Sequence, residues 1–256
     1  MKTVILAGGL GTRISEETTL RPKPMIEVGG RPILLHIIDI YSSQGFNEFV
    51  ICLGYRGYMI KEYFQNYLLH LSDVTFDFTR GGEMLVHRSS LPPWKVTLVE
   101  TGDNTQTGGR LARARRYIGE ERFMLTYGDG VADIDLRALV ARHESHGRLA
   151  TITAVQPPGR FGALVLGEEG HVERFQEKPL GDHSWINGGF FVLESGVFDY
   201  LGGDEVVLER EPLERLAADR QLGAFKHDGF WWAMDTLRDK RYLDALCEGR
   251  RPPWSK

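Results

Sequence analysis

Thr3-Val4-Ile5-Leu6-Ala7-Gly8-Gly9-Leu10-Gly11-Thr12-Arg13 joins an uninterrupted apolar run to a glycine-rich loop that ends on a guanidinium. A run without polar alternation suits a strand buried on both faces of a parallel sheet. The glycines that follow let backbone N–H groups approach a phosphate that side chains would block, and Arg13 adds a planar fork for phosphate oxygens. Two familiar phosphate loops do not fit. GxxxxGK[ST] is absent, and the dinucleotide pattern needs a small residue at 14, where Ile14 stands, followed by a helix that the sequence does not open at once. A glycine loop of this kind is as often a plain structural turn, so its surroundings have to decide.

Outward from that loop, Pro32 opens a helical pattern in Ile33, Leu34, Ile37, Ile38 and Tyr41 that stops at Gly45. Residues 49–53 read as a second buried strand, and 59–71 carry apolar positions at helical spacing. Between 74 and 99 the pattern turns β-rich, with turn signals at Gly81-Gly82 and Pro92-Pro93. A helix is predicted from about 107–109 to just before Gly119, then a strand over 122–127 that ends at Gly128-Asp129-Gly130. Asp135 reads as the N-cap of a helix reaching His146. The rest, through 149–155, 162–166, 171–178 and the apolar piece after Asn187-Gly188-Gly189, is richer in strands. This order predicts an α/β fold with a mixed sheet and mostly crossover connections, whose ligands collect beyond the carboxyl ends of the strands. The glycine loop and the GDG both fall there.

Composition narrows the class. A chain of 256 residues, 42% hydrophobic and 26% charged, can bury one sizeable core. Its 31 basic and 35 acidic residues leave a formal charge of −4, which supplies no global field for a nucleic-acid backbone, so anionic ligands must be met locally. Cys52 and Cys247 lack the spacing of a zinc site or a disulfide framework. The first apolar run is too short for a signal peptide, and no stretch reaches membrane-spanning length, so a cytoplasmic protein without membrane contact is expected.

Three further residues carry chemistry. Lys23, between Pro22 and Pro24, is a cation on a restricted backbone, suited to a triphosphate, although a rigid surface loop with a solvated lysine reads the same way. Asp129 stands at a strand end between two glycines, and Asp235 lies far downstream in Met234-Asp235-Thr236. Magnesium is commonly held by one or two carboxylates together with phosphates and water, so two separated aspartates suffice. Spacing alone does not pair them, because a loop aspartate is more often a turn or cap residue. Arg113, Arg115 and Arg116 read as a solvated helix face. His143 and His146 read as a surface pair rather than a metal site. Trp231 and Trp232 fit a sugar pocket, core packing or an oligomer interface equally well.

At this point the motifs become specific. LAGGLGTR, SEET, PKPM, TGGR, TYGDGVAD, PPGRFGAL, FQEKP, INGGFFV and MDTLRDK occur in the order of the glucose-1-phosphate cytidylyltransferase family, which the chain resembles over nearly its whole length. The resemblance implies a single nucleotidyltransferase domain over 1–256, Rossmann-like, with a mostly parallel mixed sheet flanked by helices and a β-rich sugar-binding half. It implies CTP over Leu6, Ala7, Gly8, Gly9, Leu10, Gly11, Thr12 and Arg13, with Lys23 on the triphosphate and Thr105 and Arg110 on the nucleotide. Mg2+ would be held by Asp129 and Asp235, and glucose 1-phosphate by Lys178, Asn187 and Gly188. Arg13 and Lys23 become the catalytic cations, and a homo-oligomer is implied. Gln106, just before TGGR, lies close to the expected base pocket and leaves cytosine selection open. The rival readings are a sister enzyme using UTP or dTTP, a non-catalytic nucleotide-binding regulatory subunit, and, more remotely, a nicotinamide oxidoreductase.

Overall fold

Alternate residues of the first buried strands enter different cores. The computed structural model describes residues 1–157, 163–166, 172–176, 184–249 and 251–255. In it Val4 and Leu6 pack into one apolar cluster and Ile5 into the other, as Val50 and Cys52 are opposed to Phe49 and Ile51, and Leu125 to Met124. Successive side chains of a strand point to opposite faces, so a strand without polar positions must be covered on both.

Seven strands form the central sheet: β1 (Lys2–Leu6), β2 (Glu48–Leu53), β3 (Lys95–Glu100), β4 (Phe123–Tyr127), β5 (Ala150–Val155), β6 (Ile186–Leu193) and β7 (Leu222–His227), in the order β7-β5-β6-β4-β1-β2-β3. Only β6 runs against its neighbours, pairing antiparallel with β4 and β5. The other adjacent pairs are parallel. The sheet is therefore mixed and mostly parallel, as the sequence predicts. Helices α1 (Ile33–Ser42), α2 (Gly57–Gln65), α3 (Thr107–Ile118), α4 (Leu136–His146), α5 (Glu211–Ala218) and α6 (Leu237–Cys247) flank it. The fully buried face of α1, including Ile33, Leu34, Ile37, Ile38 and Tyr41, lies in the first cluster, while Leu111 and Ala114 of α3 lie in the second. Each of these buried leucines and isoleucines contributes about 1.5–3 kcal/mol on burial.

Several local expectations are refined. Strand β1 starts at Lys2 and ends at Leu6, one residue ahead of the apolar run. The helix expected over 59–71 is split at Asn66, whose φ of −89° and ψ of 1° end α2 before a short helical piece, Tyr67–Leu71. The β-rich stretch resolves into a separate hairpin, Ser72–Asp77 with Glu83–Ser89, followed by β3. Helical backbone does follow the glycine loop closely, in a 3-10 turn, Thr12–Ile14, and a four-residue turn, Ser15–Thr18. Neither is long enough to be the helix of a dinucleotide fold. Asp135 caps α4 as predicted, its side chain accepting from Ala138 N.

His143 is a correction. It is 1% exposed, with Nδ1 2.7 Å from Thr151 Oγ1 and Nε2 3.1 Å from Glu194 Oε1. The helix face it shares with His146 is turned onto β5 and β6, and burial pushes the His143 imidazole below its ordinary value. Arg113, Arg115 and Arg116 are exposed as expected. No helix among the described residues is long and apolar enough to cross a membrane.

Candidate active site

The carboxyl ends of β1 and β4 are adjacent, and Gly128 N donates to Leu6 O at 3.0 Å just beyond them. The glycine loop leaves β1 and the GDG leaves β4, so both open into one cleft of about 550 Å³.

A small ladder then decides the chemistry at one end of that cleft. Gly130–Ala132 pairs antiparallel with Trp231–Ala233, and Met234 N donates to Asp129 O at 2.9 Å. This pairing carries Asp235 up beside Asp129. The Asp235 backbone is fixed from below, because Asp235 N and Thr236 N both donate to Asp239 Oδ2 and Thr236 and Asp239 form a capping box on α6. Between the two carboxylates lies Lys23, whose Nζ donates to Asp129 Oδ2 at 2.6 Å and to Asp235 Oδ1 at 2.8 Å. Arg13 Nη1 meets the other oxygen, Asp235 Oδ2, at 3.0 Å. Burial pulls the Lys23 ammonium down, but attraction and hydrogen bonding from Asp129 and then Asp235 outweigh it, and its pKa stands above the ordinary lysine value.

Two carboxylates that converge on one cationic atom are an oxygen-only donor set of the kind a hard divalent ion takes. The described residues hold no cluster of three or more His, Cys, Asp or Glu side chains fit for a metal. Further ligands would have to come from phosphate and water, which is how magnesium is usually bound.

A second cation lies beneath the glycine loop. Arg110, on the first turns of α3, is 4% exposed. Its Nη1 donates to Leu53 O, Gly102 O and Thr101 Oγ1 at 3.0, 2.6 and 2.8 Å, and its Nη2 to Gly8 O and Asp103 O at 2.8 and 3.2 Å. One guanidinium thus ties the loop after β1 to the loops after β2 and β3. Gly8 and Gly54 are glycines for this reason, since a Cβ on either would fall on the Arg110 side chain.

The opposite wall is organised by a carboxylate that no sequence motif announced. Glu209 accepts from Tyr127 OH through Oε1 and from Thr107 Oγ1 through Oε2, both at 2.6 Å. Asn187 Nδ2 donates to Tyr127 OH at 3.1 Å, and Gly189 N to Asn187 Oδ1 at 2.8 Å. Burial and the Glu209 carboxylate push the Tyr127 phenol well up. The chain Thr107, Glu209, Tyr127, Asn187 therefore locks the start of α3 to β4 and β6 across the cleft floor. Glu209→Ala takes away the acceptor of two hydroxyl protons, those of Tyr127 and Thr107. It is expected to destabilise the protein by about 1–3 kcal/mol and to raise KM for both substrates, whereas Glu209→Gln keeps one acceptor and recovers most of both. Thermal unfolding alongside steady-state kinetics checks this; unchanged KM values in the alanine variant would remove Glu209 from any role in the cleft.

Comparison with known proteins follows the same line as the geometry. A family model described as nucleotidyl transferase matches residues 2–233. The chain belongs to the nucleotidyl transferase family. It is 56% identical to glucose-1-phosphate cytidylyltransferase of Salmonella typhi over 99% of its own length and 98% of that protein. It is 30% identical to mannose-1-phosphate guanyltransferase of Schizosaccharomyces pombe, over 96% of this chain and 64% of the other. Among solved structures, UDP-glucose pyrophosphorylase from Acinetobacter baumannii superposes with a TM-score of 0.68 at 18% identity, covering 95% of this chain and 91% of that one. That likeness concerns the fold. Enzymes of the nucleotidyl transferase family generally use a divalent metal.

Of the residues that the family resemblance marks, Leu6 to Gly9, Gly11 to Arg13, Lys23, Thr105, Arg110, Asp129, Asn187, Gly188 and Asp235 all line the cleft. Gln106 lines it too. Leu10 does not: it is 50% exposed at the tip of the loop. Arg110 reaches the cleft, but its charge is engaged by the carbonyls beneath the loop. Lys178 lies outside the described residues. Trp231 lines the cleft and donates to Gly188 O at 2.7 Å, while Trp232 turns away and packs on Tyr242 with ring centroids 4.2 Å apart. Sequence reading missed Glu209 because nothing local sets it apart from the exposed glutamates at the start of α5.

Proposed function

We propose that this nucleotidyltransferase transfers the cytidylyl group of CTP to glucose 1-phosphate, forming CDP-glucose and pyrophosphate with Mg2+ as cofactor. The observation that carries the reading is the convergence of Asp129, Asp235, Lys23 and Arg13 at one end of the cleft, in a chain 56% identical to a glucose-1-phosphate cytidylyltransferase.

The reaction needs no protein nucleophile. A phosphate oxygen of glucose 1-phosphate attacks the α-phosphorus of CTP in line, the new O–P bond forms as the bond to the β-phosphate oxygen breaks, and pyrophosphate leaves on the opposite side. The acceptor is already anionic near neutral pH, so the protein's task is to bring two repelling anions together and to stabilise the charge that grows between them. Lys23 and Arg13 serve the triphosphate. The glycine loop offers backbone N–H groups, held in place by Arg110 from below. Thr105 and Gln106 face the base. Asn187 and Gly188, with Lys178, receive the sugar phosphate. Mg2+ on Asp129 and Asp235 would neutralise triphosphate charge and favour departure of pyrophosphate. A homo-oligomer belongs to the same reading, supported by Phe76, Phe78, Met84 and Leu85, which stand exposed on the hairpin.

The test is a product assay with glucose 1-phosphate and Mg2+ across CTP, UTP, dTTP, ATP and GTP. CDP-glucose and pyrophosphate are expected, with CTP well ahead of the others and turnover abolished by chelation. Equal or better turnover with UTP or dTTP overturns the cytidylyl assignment and leaves the family membership standing.

A further inference from the structure

The cation that lies between Asp129 and Asp235 belongs to the protein itself. Lys23 has three N–H donors and no acceptor, and two of its hydrogen bonds go to one oxygen of each aspartate, at 2.6 and 2.8 Å. Its side chain is 12% exposed, against 75% for Arg13 on the other oxygen of Asp235. Arg13 is thus a screened surface partner, whereas Lys23 is set into the wall on a 3-10 turn, Lys23–Met25, that begins after Pro22 and contains Pro24. The two aspartates, brought together by the ladder of Gly130–Ala132 on Trp231–Ala233, would repel each other without a charge between them.

A lysine and a divalent ion cannot both serve this pair in the same way. An ion on Asp129 Oδ2 at the usual ~2.1 Å stands no more than about 4.7 Å from an ammonium that is 2.6 Å from the same oxygen. A single and a double positive charge at that separation repel strongly in a partly buried site. The repulsion is relieved only if the ammonium finds other anions, and a triphosphate supplies them. We propose that Lys23 is the resident counter-ion of the Asp129–Asp235 pair, closing it to a divalent cation until a nucleoside triphosphate draws the ammonium away. On this reading Lys23 exchanges two carboxylates for phosphate oxygens in the same event that opens the pair to the metal. Every charge stays paired throughout, and the metal is retained only with the nucleotide. The inference rests on the assignment of Asp129 and Asp235 as the metal pair.

Its signature is a variant that loses catalysis and gains metal. In protein without nucleotide or sugar, Lys23→Met is expected to bind Mn2+ roughly tenfold or more tightly than the parent, measured by the electron paramagnetic resonance of free Mn2+. Mn2+ should also raise its melting temperature more than the parent's. Lys23→Arg keeps the charge and is expected to show no such gain, which separates loss of the counter-ion from a general loosening of the loop. Adding Asp235→Asn to Lys23→Met should abolish the gain. With CTP present, the parent is expected to retain Mn2+ and its Asp235→Asn variant to lose it. If the parent with CTP behaves so but folded Lys23→Met binds Mn2+ no more tightly than the parent, the counter-ion role is overturned and the metal pair stands. If the gain survives Asp235→Asn, Mn2+ is binding elsewhere, and the metal pair falls along with the inference.

Discussion

Asp129→Asn and Asp235→Asn are each expected to lower kcat with CTP and glucose 1-phosphate by on the order of 10²–10³, the scale of losing one preorganised charge partner of a transition state, while the protein stays folded. Each substitution keeps the shape of the side chain and removes the negative charge that would hold a divalent cation. The fold should tolerate it, because Lys23 keeps one of its two carboxylates and the new asparagine still offers it an acceptor oxygen. The ladder that places the two residues is built from backbone hydrogen bonds that asparagine does not disturb. Raising Mg2+ should recover part of the lost rate if the defect lies in metal affinity. Kinetics at limiting and saturating Mg2+, with circular dichroism as the control for folding, make the measurement. An asparagine variant with near parental activity at limiting Mg2+ removes that aspartate from the metal site.

The second large effect concerns Arg110, and here stability and binding should fall together. Arg110→Ala strips hydrogen bonds from the carbonyls of Gly8, Leu53, Gly102 and Asp103 in a buried setting. Leu53 O keeps the Thr101 N–H and Gly8 O the Tyr55 N–H, so the cost falls mainly on the carbonyls of Gly102 and Asp103 at about 1–3 kcal/mol each, and a total loss of about 2–5 kcal/mol is expected. The Gly8 loop also loses the group that sets its height above the cleft floor, so CTP affinity should drop as well. Arg110→Lys should recover little of either, because an ammonium is a point charge that cannot span three loops as a planar guanidinium does. Chemical denaturation and calorimetric titration with CTP measure the two effects separately. Wild-type stability in Arg110→Ala would contradict a clamp; lost CTP binding at unchanged stability would mean instead that the guanidinium acts directly on the nucleotide.

The chemistry-bearing loops were readable because each depends on its own neighbourhood. Gly8, Gly9 and Gly11 follow an apolar run, Lys23 stands between prolines, and Asp129 stands between glycines at a strand end; each of these is a local backbone requirement written in residue type. The same holds for the cap at Asp135 and for α3, which begins at Thr107 as expected. His143 was misread for the opposite reason. Helical spacing shows that His143 and His146 share a face, but whether that face meets water or a sheet depends on strands that arrive later in the chain. Glu209 was invisible for the same reason, since its two partners come from β4 and α3.

The sequence by itself therefore determined the class of fold, the two loops that would meet beyond the strand ends, and the family to which the chain belongs. Apolar periodicity, glycine and proline are short-range signals that a strand, a helix or a loop must satisfy on its own. The family resemblance named Asp129 and Asp235 together, although spacing did not pair them. Only the tertiary structure decided how the two are brought side by side, that Lys23 stands between them, and that Arg110 is turned down into the loops. Those are facts about which segment covers which. They follow from the ladder between Gly130–Ala132 and Trp231–Ala233 and from the adjacency of β1 with β2 and β4. A hydrogen-bonded ladder joins residues far apart in sequence without marking either strand in a way that names its partner.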